Sequence, residues 1–236
     1  MSTLLMRLAA PLQSWGVDSK FERRGTERIP TKSGVIGLVA AALGRRRDES
    51  IEDLQALRFG VRVDRDGTLL RDYHTARNQK SAYVTHRYYL ADAVFLAGLE
   101  GDETFLMEIE RALCHPVFPL FLGRRSCPPE GKLSLGIRTN KTLLEVLQEE
   151  PWLISEWLRR REDYQVRLRI VTEADERNTR SYFQRDVPLS FNQTHRKFGF
   201  RRVSESAPQT VYNPLSQRSI AKNPTEHDPM LELRGE

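Results

Sequence analysis

The residues Thr31-Lys32-Ser33-Gly34 are the part of the sequence best suited to hold a phosphate group. They precede an apolar run that predicts a buried helix ending near Leu43, with Thr31 or Ser33 as its N-cap and Gly44 in a left-handed conformation after its last turn. Free backbone N–H groups at a helix start, together with a lysine, attract anions. The order differs from the Gly-x-x-x-x-Gly-Lys-Ser/Thr loop of nucleotide-binding proteins. The segment is therefore either an anion site or an ordinary helix start.

Clustered arginines offer a second way to contact phosphate. Lysine plus arginine (37) exceeds aspartate plus glutamate (32) by 5. The excess is concentrated in four places: Arg45–Arg47, Arg124–Arg125, Arg159–Arg161 and His195–Arg202. A glycine before Arg124 and prolines after Ser126 can hold guanidinium groups against a phosphate or a base. Taken singly, each cluster is better explained as a solvated face, but together they favour nucleic acid over a uniformly basic coat.

Aromatic residues accompany several of these cations. Trp15 lies in a long polar connection after the first strand, where it either stacks on a base or fills the core, and a single tryptophan favours the core. In the segment His195–Arg202, Phe198 and Phe200 either stack on single-stranded nucleic acid or face the core while the cations face water. A third segment, at about residues 73–89, predicts a projecting hairpin that begins at Tyr73 and carries the polar and basic residues Arg77, Asn78 and Lys80.

Metal-free RNA cleavage is the rival chemistry. It requires a base for the 2′-hydroxyl and groups that stabilise the pentavalent phosphate. The suitable side chains are Tyr73, His74, His86, Tyr88, His195 and Lys32. Because the histidines are dispersed along the chain, the sequence favours a non-catalytic protein. Neither a metal nor a cofactor is predicted, since the carboxylates lack ligand spacing and Cys114 and Cys127 form no Cys-x-x-Cys pair.

Composition also predicts a cytoplasmic protein with reduced thiols. The apolar run at the N-terminus is short and interrupted by Arg7, so it does not predict a signal peptide. No segment approaches the roughly 18 apolar residues needed to span a membrane. We therefore expect no membrane partner.

The elements that must position these residues predict an α+β fold. A strand begins near Leu4, the helix from Ser33 follows, and a strand at residues 59–64 leads through Asp66-Gly67 into a predicted hairpin. Asp102 caps an amphipathic helix that ends at Cys114, and residues 117–122 predict a strand. This strand–helix–strand–strand–helix–strand order predicts a ferredoxin-like (RRM-like) domain.

The predicted organisation has two parts and a tail. Residues 1–147 form the ferredoxin-like domain, from which a β-hairpin thumb projects at about residues 73–89. Residues 148–220 form a small C-terminal β-rich subdomain, which opens with the alternating segment after Tyr164. Residues 221–236 are charged and proline-containing, and they predict a loose tail.

Five short segments carry a family resemblance. They are Leu12-Gln13-Ser14-Trp15-Gly16, Arg24-Gly25-Thr26, Pro30-Thr31-Lys32-Ser33-Gly34-Val35-Ile36-Gly37-Leu38, Tyr73-His74-Thr75 and Phe121-Leu122-Gly123-Arg124-Arg125-Ser126-Cys127-Pro128-Pro129. Together they closely resemble the CasD subunits (Cas5 family, RAMP superfamily) of type I-E CRISPR Cascade complexes. The likeness covers about the first 130 residues, and beyond them it rests on length and general character.

The resemblance implies a non-catalytic subunit that grips the 5′ handle of the CRISPR RNA. It also implies that the subunit caps the backbone filament beside the large subunit, and meets target DNA only as part of the complex. The implied RNA-binding residues are Gln13, Ser14, Trp15, Thr31, Lys32, Ser33, Gly34, Tyr73, Arg77, Asn78, Lys80, Arg124, Arg125 and Ser126. The alternative is a metal-independent endoribonuclease that processes CRISPR repeat RNA. The related subunit of type I-C systems resembles such an enzyme.

Overall fold

The structure is a computed structural model that describes residues 1–16, 23–77, 82–174 and 180–218. Within these ranges the elements in chain order are β1 (Ser2–Ala9), β2 (Leu12–Gln13), β3 (Arg23–Arg24), α1 (Lys32–Ala42), α2 (Glu52–Gln55), β4 (Arg58–Arg65), β5 (Thr68–Arg77), β6 (Ala82–Ala91), β7 (Val94–Gly101), α3 (Glu103–Cys114), β8 (Ser134–Arg138), α4 (Leu143–Glu149), α5 (Glu156–Arg159), β9 (Gln165–Glu173), β10 (Tyr182–Ser190), β11 (Lys197–Glu205) and β12 (Gln209–Tyr212). The fold is thus a mixed α/β fold with mostly antiparallel strands. None of the described helices combines the length and hydrophobicity needed to cross a bilayer.

One large sheet organises the molecule. Its strand order is β10-β11-β9-β4-β7-β1-β8, and β12 pairs with β9. Successive residues of a strand point to opposite faces, and β1 shows which helices cover each face. Leu4 and Met6 share a cluster with Val39 of α1, whereas Leu5 packs with Leu147 of α4. Helices α1 and α3 therefore cover one face of the sheet, and α4 covers part of the other.

Helix α1 has the ends that the sequence predicts. The Thr31 side chain accepts a hydrogen bond from the Gly34 N–H and caps the first turn. At the other end Gly44 has a φ of +79°, which glycine adopts without steric cost. Asp102 likewise caps α3, as expected. These predictions are confirmed because the interactions that determine them lie within a few residues.

The prediction of a strand at residues 117–122 is wrong. This segment is irregular, and its backbone N–H groups at Val117 and Phe118 donate to the carbonyls of Ala42 and Ala41 at 3.0 and 3.2 Å. Those carbonyls belong to the last turn of α1, which leaves acceptors without intrahelical partners. The segment thus completes the end of α1, and the strand beside β1 is β8 instead.

The hairpin predicted at Asp66-Gly67 is also wrong. Strand β4 pairs with β7 and β9, whereas β5 pairs with β6 along its whole length. Gly67 has a φ of +70° and turns the chain from the large sheet into a second, smaller sheet. In that sheet β2 and β3 pair with the other edge of β6. The thumb predicted at about residues 73–89 therefore corresponds to a longer hairpin, β5–β6.

The C-terminal strands extend the large sheet. Strand β9 pairs with β4 over residues 169–172, and β11 and β10 follow outward from β9. The sheet is therefore continuous across the boundary predicted at residues 147 and 148, and that division stays a prediction. The tail predicted at residues 221–236 lies outside the described residues.

Candidate nucleic-acid interface

A groove of about 1130 Å³ lies against α1, between the loop that follows α3 and the turn between β10 and β11. The loop contributes Phe121 and Arg125, and the turn contributes Phe191 and Arg196. The helix side of the groove consists mostly of small residues: Ser33, Gly34, Gly37, Ala40 and Ala41. Because these side chains are short, a bulky ligand can approach the helix backbone. We call this feature the α1 groove.

The α1 groove is strongly basic. Its lining includes five arginines and one acidic residue, Asp48. Arg45 donates hydrogen bonds to Asp53, which raise the pKa of Arg45 and compensate its charge. The other four guanidinium groups have no ion pair with any residue in the described ranges: Arg46, Arg47, Arg125 and Arg196. Uncompensated arginines around a concave surface favour a polyanionic ligand.

Two of these arginines repel each other. Partial desolvation lowers the pKa of Arg196, and the neighbouring charge of Arg47 adds to the effect. An anion bound between two like charges removes this penalty. Arg196 also lies over the Phe198 ring, with 5.1 Å between its guanidinium carbon and the ring centroid. This end of the groove thus combines positive charge with an aromatic surface.

The predicted contacts Gln13, Ser14 and Trp15 lie inside the protein. Gln13 donates to the carbonyls of Leu8 and Ala93 at 3.2 and 2.7 Å and accepts from the Trp15 indole N–H at 3.1 Å. Ser14 is buried as well, and Trp15 is only 1% exposed. Of the two interpretations of Trp15, the structure places it in the core. These residues hold the loop against α1, so direct stacking of Trp15 on a base would require the core to open.

The position of the Trp15 ring also explains why residue 34 is a glycine. A Cβ atom at Gly34 would lie 2.7 Å from Cε3 of the indole, so a larger residue cannot occupy this position without moving the ring. The N-cap Thr31 is buried beside it. Of the residues that the sequence proposed at the helix start, Ser33 and Gly34 line the α1 groove.

The helix start is occupied by an anion from the protein itself. The Asp186 carboxylate accepts from the Lys32 backbone N–H at 2.8 Å, and Arg201 donates to the same carboxylate at 2.6 and 2.9 Å. The Lys32 ammonium is 4% exposed and donates to the Gln55 carbonyl and to Glu173, each at 2.9 Å. The phosphate seat predicted at Lys32 is therefore filled by side chains from β9 and β10.

The loop at residues 123–126 places its two arginines in different environments, although the sequence predicted the same role for both. Arg124 donates to the carbonyls of Arg24 and Gly25 at 2.9 and 3.2 Å and lies 4.6 Å from the Tyr89 ring centroid. Arg125 is exposed and lines the α1 groove. Arg124 thus fastens residues 24–25 to the hairpin, while Arg125 is available to a ligand. Ser126 is exposed next to the buried Cys127.

We expect Gly123→Ala to destabilise the protein by at least about 2 kcal/mol. Gly123 has a φ of +91°, and an added Cβ would lie 1.6 Å from the Ser14 carbonyl oxygen, so the loop must move. Urea unfolding followed by tryptophan fluorescence measures the loss. Gly25→Ala is the matched control, because a Cβ there has no neighbour within 4 Å. Equal stability of the two variants would contradict the loop geometry described here.

The β5–β6 hairpin presents an aromatic and basic face. Tyr73, which is 62% exposed, contacts His86 in an edge-on arrangement with 5.8 Å between ring centroids. Arg23 lies over the Tyr88 ring at 5.2 Å. His74 points to the opposite face of β5, where it is hydrogen-bonded to Asp72. Aromatic and cationic side chains on one face suit stacking with unpaired bases.

The remaining predicted hairpin contacts are placed only in part. Arg77 is exposed at the last described position of β5, and Asn78 and Lys80 lie outside the described residues.

Sequence reasoning missed Arg46, Arg47 and Arg196 as site residues. The basic runs that contain them were visible, but each run alone is typical of a solvated surface. Arg46 and Arg47 directly follow α1, and the signal that distinguishes them is that Arg196 joins them at one groove, which depends on β10 packing beside the helix. Local sequence carries no information about which distant segment packs beside α1.

Comparison with known protein families shows the family to which the chain belongs. Residues 3–204 match the family model described as CRISPR-associated protein (Cas_Cas5). Because the match covers most of the chain, the chain belongs to the Cas5 family of CRISPR-associated proteins, as the sequence resemblance predicted. A curated relative, the CRISPR system Cascade subunit CasD of Escherichia coli (strain K12), is 38% identical over 159 residues, which are 57% of this chain and 70% of the relative.

Solved structures extend the likeness over nearly the whole chain. One, described as a crystal structure of a Cas protein, is 41% identical, with a TM-score of 0.69 and coverage of 88% of this chain and 95% of its own. Another, described as a CRISPR RNA-guided surveillance complex, is 34% identical, with a TM-score of 0.75 and coverage of 91% and 92%. The similarity therefore includes C-terminal strands, beyond the segments that carried the sequence resemblance.

Proposed function

We propose that the chain is a non-catalytic RNA-binding subunit of a CRISPR Cascade surveillance complex. In this role it grips the 5′ handle of the CRISPR RNA and caps the backbone filament beside the large subunit. The observation that carries the proposal is the convergence of four uncompensated arginines on the α1 groove. The relative named as a Cascade subunit and the structural neighbour described as an RNA-guided surveillance complex support it.

The α1 groove suits a single-stranded RNA with unstacked bases. Phosphates would lie near Arg125 and Arg196, because these side chains approach the groove from opposite walls. The bases would contact Phe121 and Phe191, which also line it. Sequence-specific RNA binding usually involves splayed bases stacked on aromatic or guanidinium planes. The aromatic face of the hairpin would extend this contact along the strand.

The placement of the candidate cleavage groups supports binding rather than catalysis. Tyr73 and His74 are adjacent in β5 and therefore point to opposite faces of the hairpin. Lys32 is buried in its contacts with Gln55 and Glu173. A base and a phosphate-stabilising group must reach the same phosphate. These three side chains do not converge on one phosphate. Tyr73, His86 and Tyr88 do share one face of the hairpin, but His74 faces the other way and Lys32 is buried at the start of α1. We therefore favour a subunit that binds RNA without cutting it.

We infer further that the N-terminal part is a ferredoxin-like unit. Four strands of the large sheet follow the antiparallel order β4-β7-β1-β8, with α1 between β1 and β4 and α3 between β7 and β8. This order and the two crossover helices on one face are those of the split β-α-β arrangement. The unit would hold the α1 groove on a rigid base, with the hairpin projecting from it.

The proposal is tested by reversing charge in the α1 groove. We expect Arg125→Glu combined with Arg196→Glu to weaken binding of labelled CRISPR repeat RNA at least tenfold at 0.1 M salt. The slope of log affinity against log salt should fall by about 1.4, since each phosphate contact to a single strand contributes about 0.7. Fluorescence anisotropy over a salt series gives both quantities, and a gel in excess chelator shows whether the RNA stays intact.

The control changes the same net charge elsewhere. Arg160 and Lys132 are exposed, and neither lines the α1 groove. The variant Arg160→Glu with Lys132→Glu should retain most of the affinity and the salt slope. If the groove variant binds no worse than this control, the groove is not the RNA site. Discrete cleavage of the repeat by the wild-type protein would instead support the endoribonuclease alternative.

A further inference from the structure

A second pocket, of about 510 Å³, lies between residues 25–29 and the first half of strand β10. Strand β10 is the last strand of the large sheet, so one of its edges has no neighbouring strand in the described part of the chain. We call this feature the edge pocket. It shares no lining residue with the α1 groove. Its volume falls within the range of about 300–1,000 Å³ that is typical of small-ligand sites.

The edge pocket contains a buried acceptor that lacks a donor. Gln184 lines the pocket, and its side-chain oxygen Oε1 has no hydrogen-bond partner among the described residues although it is shielded from solvent. Gln184 is held in register opposite Arg201 of β11, so its backbone position is defined. Most buried polar atoms in proteins are hydrogen-bonded, and an exception is a candidate for ligand contact. Rotation of the Gln184 amide toward the pocket would expose this oxygen, and a ligand with an N–H group would then satisfy it.

The surroundings of Gln184 favour a planar ligand with negative charge. Three arginines line the pocket, Arg28, Arg169 and Arg185, against one acidic residue, Glu27. Arg169 is partly compensated, since it donates to Glu205 at 3.0 Å, whereas Arg28 is exposed.

Tyr182 supplies a half-exposed ring for stacking. Partial burial raises the pKa of Tyr182, with a further contribution from Glu205, so its phenol is neutral at pH 7 and does not repel a phosphate.

A nucleotide fits these groups better than an added peptide strand. The part of the β10 edge that lines the pocket is short, spanning residues 182–185. Residues 25–29 close the other side. Strand addition needs a longer open edge, whereas one base with its phosphate needs only a compact basic pocket with a ring and a polar acceptor.

We propose that the edge pocket holds one unstacked nucleotide of a single-stranded nucleic acid. Its base stacks on Tyr182 and donates an N–H to Gln184 Oε1, and its phosphate lies near Arg28. This inference rests on the proposed RNA-binding function and adds a second contact outside the α1 groove. The same chemistry is offered by a nucleotide of the guide RNA and by a nucleotide of a DNA strand.

The test is an abasic scan with the full-length protein. Labelled repeat RNAs, each lacking the base at one position, are titrated against wild-type protein, Tyr182→Ala and Gln184→Leu. Besides the positions whose bases lie in the α1 groove, we expect one further position where loss of the base weakens binding of wild-type protein about tenfold. The two variants should bind intact RNA about tenfold more weakly and show no further loss at that position. Tyr182→Phe keeps the ring and should behave as wild type.

Several outcomes separate the possibilities. A flat abasic profile with wild-type protein, or a profile in which every sensitive position stays sensitive in both variants, overturns the inference. Variants that bind RNA normally but fail to bind neighbouring Cascade subunits would also overturn it and indicate a peptide on the edge of β10. If only the groove variant loses RNA binding, the proposed function stands and the edge pocket alone is refuted. A parallel scan with single-stranded DNA shows which kind of strand supplies the nucleotide.

Discussion

Replacing Arg62 with methionine is expected to lower the free energy of unfolding by about 3–5 kcal/mol. Arg62 is completely buried and donates to the Asp64 carboxylate at 2.7 and 2.9 Å. It also donates to the carbonyls of Leu147 at 2.8 Å and Pro151 at 2.9 Å, near the end of α4. Removing the guanidinium leaves several carbonyls without this donor and leaves the buried Asp64 carboxylate uncompensated, with only the Leu153 N–H still donating to it. Urea unfolding followed by circular dichroism measures the change.

Lys141→Met serves as the control for Arg62. Lys141 pairs with Glu149 on the same side of the sheet, but both side chains are about half exposed. Exposed ion pairs contribute about 0–1 kcal/mol, so this variant should unfold nearly as the wild type does. A loss from Arg62→Met no greater than that from Lys141→Met would show that the buried network does not hold α4 to the sheet.

Replacing Asp186 with asparagine should have a comparable effect, also about 3–5 kcal/mol. The carboxylate is completely buried and is shared by the Lys32 N–H and the Arg201 guanidinium. The variant keeps the shape but removes the charge that compensates Arg201 in the interior. Because Asp186 joins β10 to the start of α1, we also expect weaker RNA binding in the α1 groove, which is lined by α1 and by the turn that follows β10.

Three further variants separate the contribution of the charge from that of the packing. Asp163→Asn removes a carboxylate that pairs with Arg218 on the surface, and it should change stability by less than about 0.5 kcal/mol. Asp186→Leu combined with Arg201→Met should lose less stability than Asp186→Leu alone, since neither buried charge then remains unpaired. If the single and double variants are equally unstable, packing rather than the ion pair accounts for the loss.

The Arg62 and Asp186 networks show why polar residues mislead sequence interpretation. Arg62 alternates with Val61 and Val63, so the strand pattern suggests a residue that faces water, yet α4 covers it. In β11 the pattern is inverted in the same way. Phe200 is 65% exposed, whereas Arg201 faces the core and is bonded to Asp186. The interpretation that buries the phenylalanines and exposes the cations is therefore wrong for Phe200 and Arg201, although Arg196 and Lys197 are exposed as it expected.

By itself, the sequence determined the features that depend on neighbouring residues. The Thr31 cap, the left-handed Gly44 and the amphipathic helix α3 follow from short-range hydrogen bonds, backbone angles and periodicity. The family follows from short segments as well. Only the tertiary structure decided which cations reach a ligand. Lys32 is withdrawn from solvent by side chains more than 100 positions away, and Arg196 reaches the α1 groove because β10 packs beside the helix.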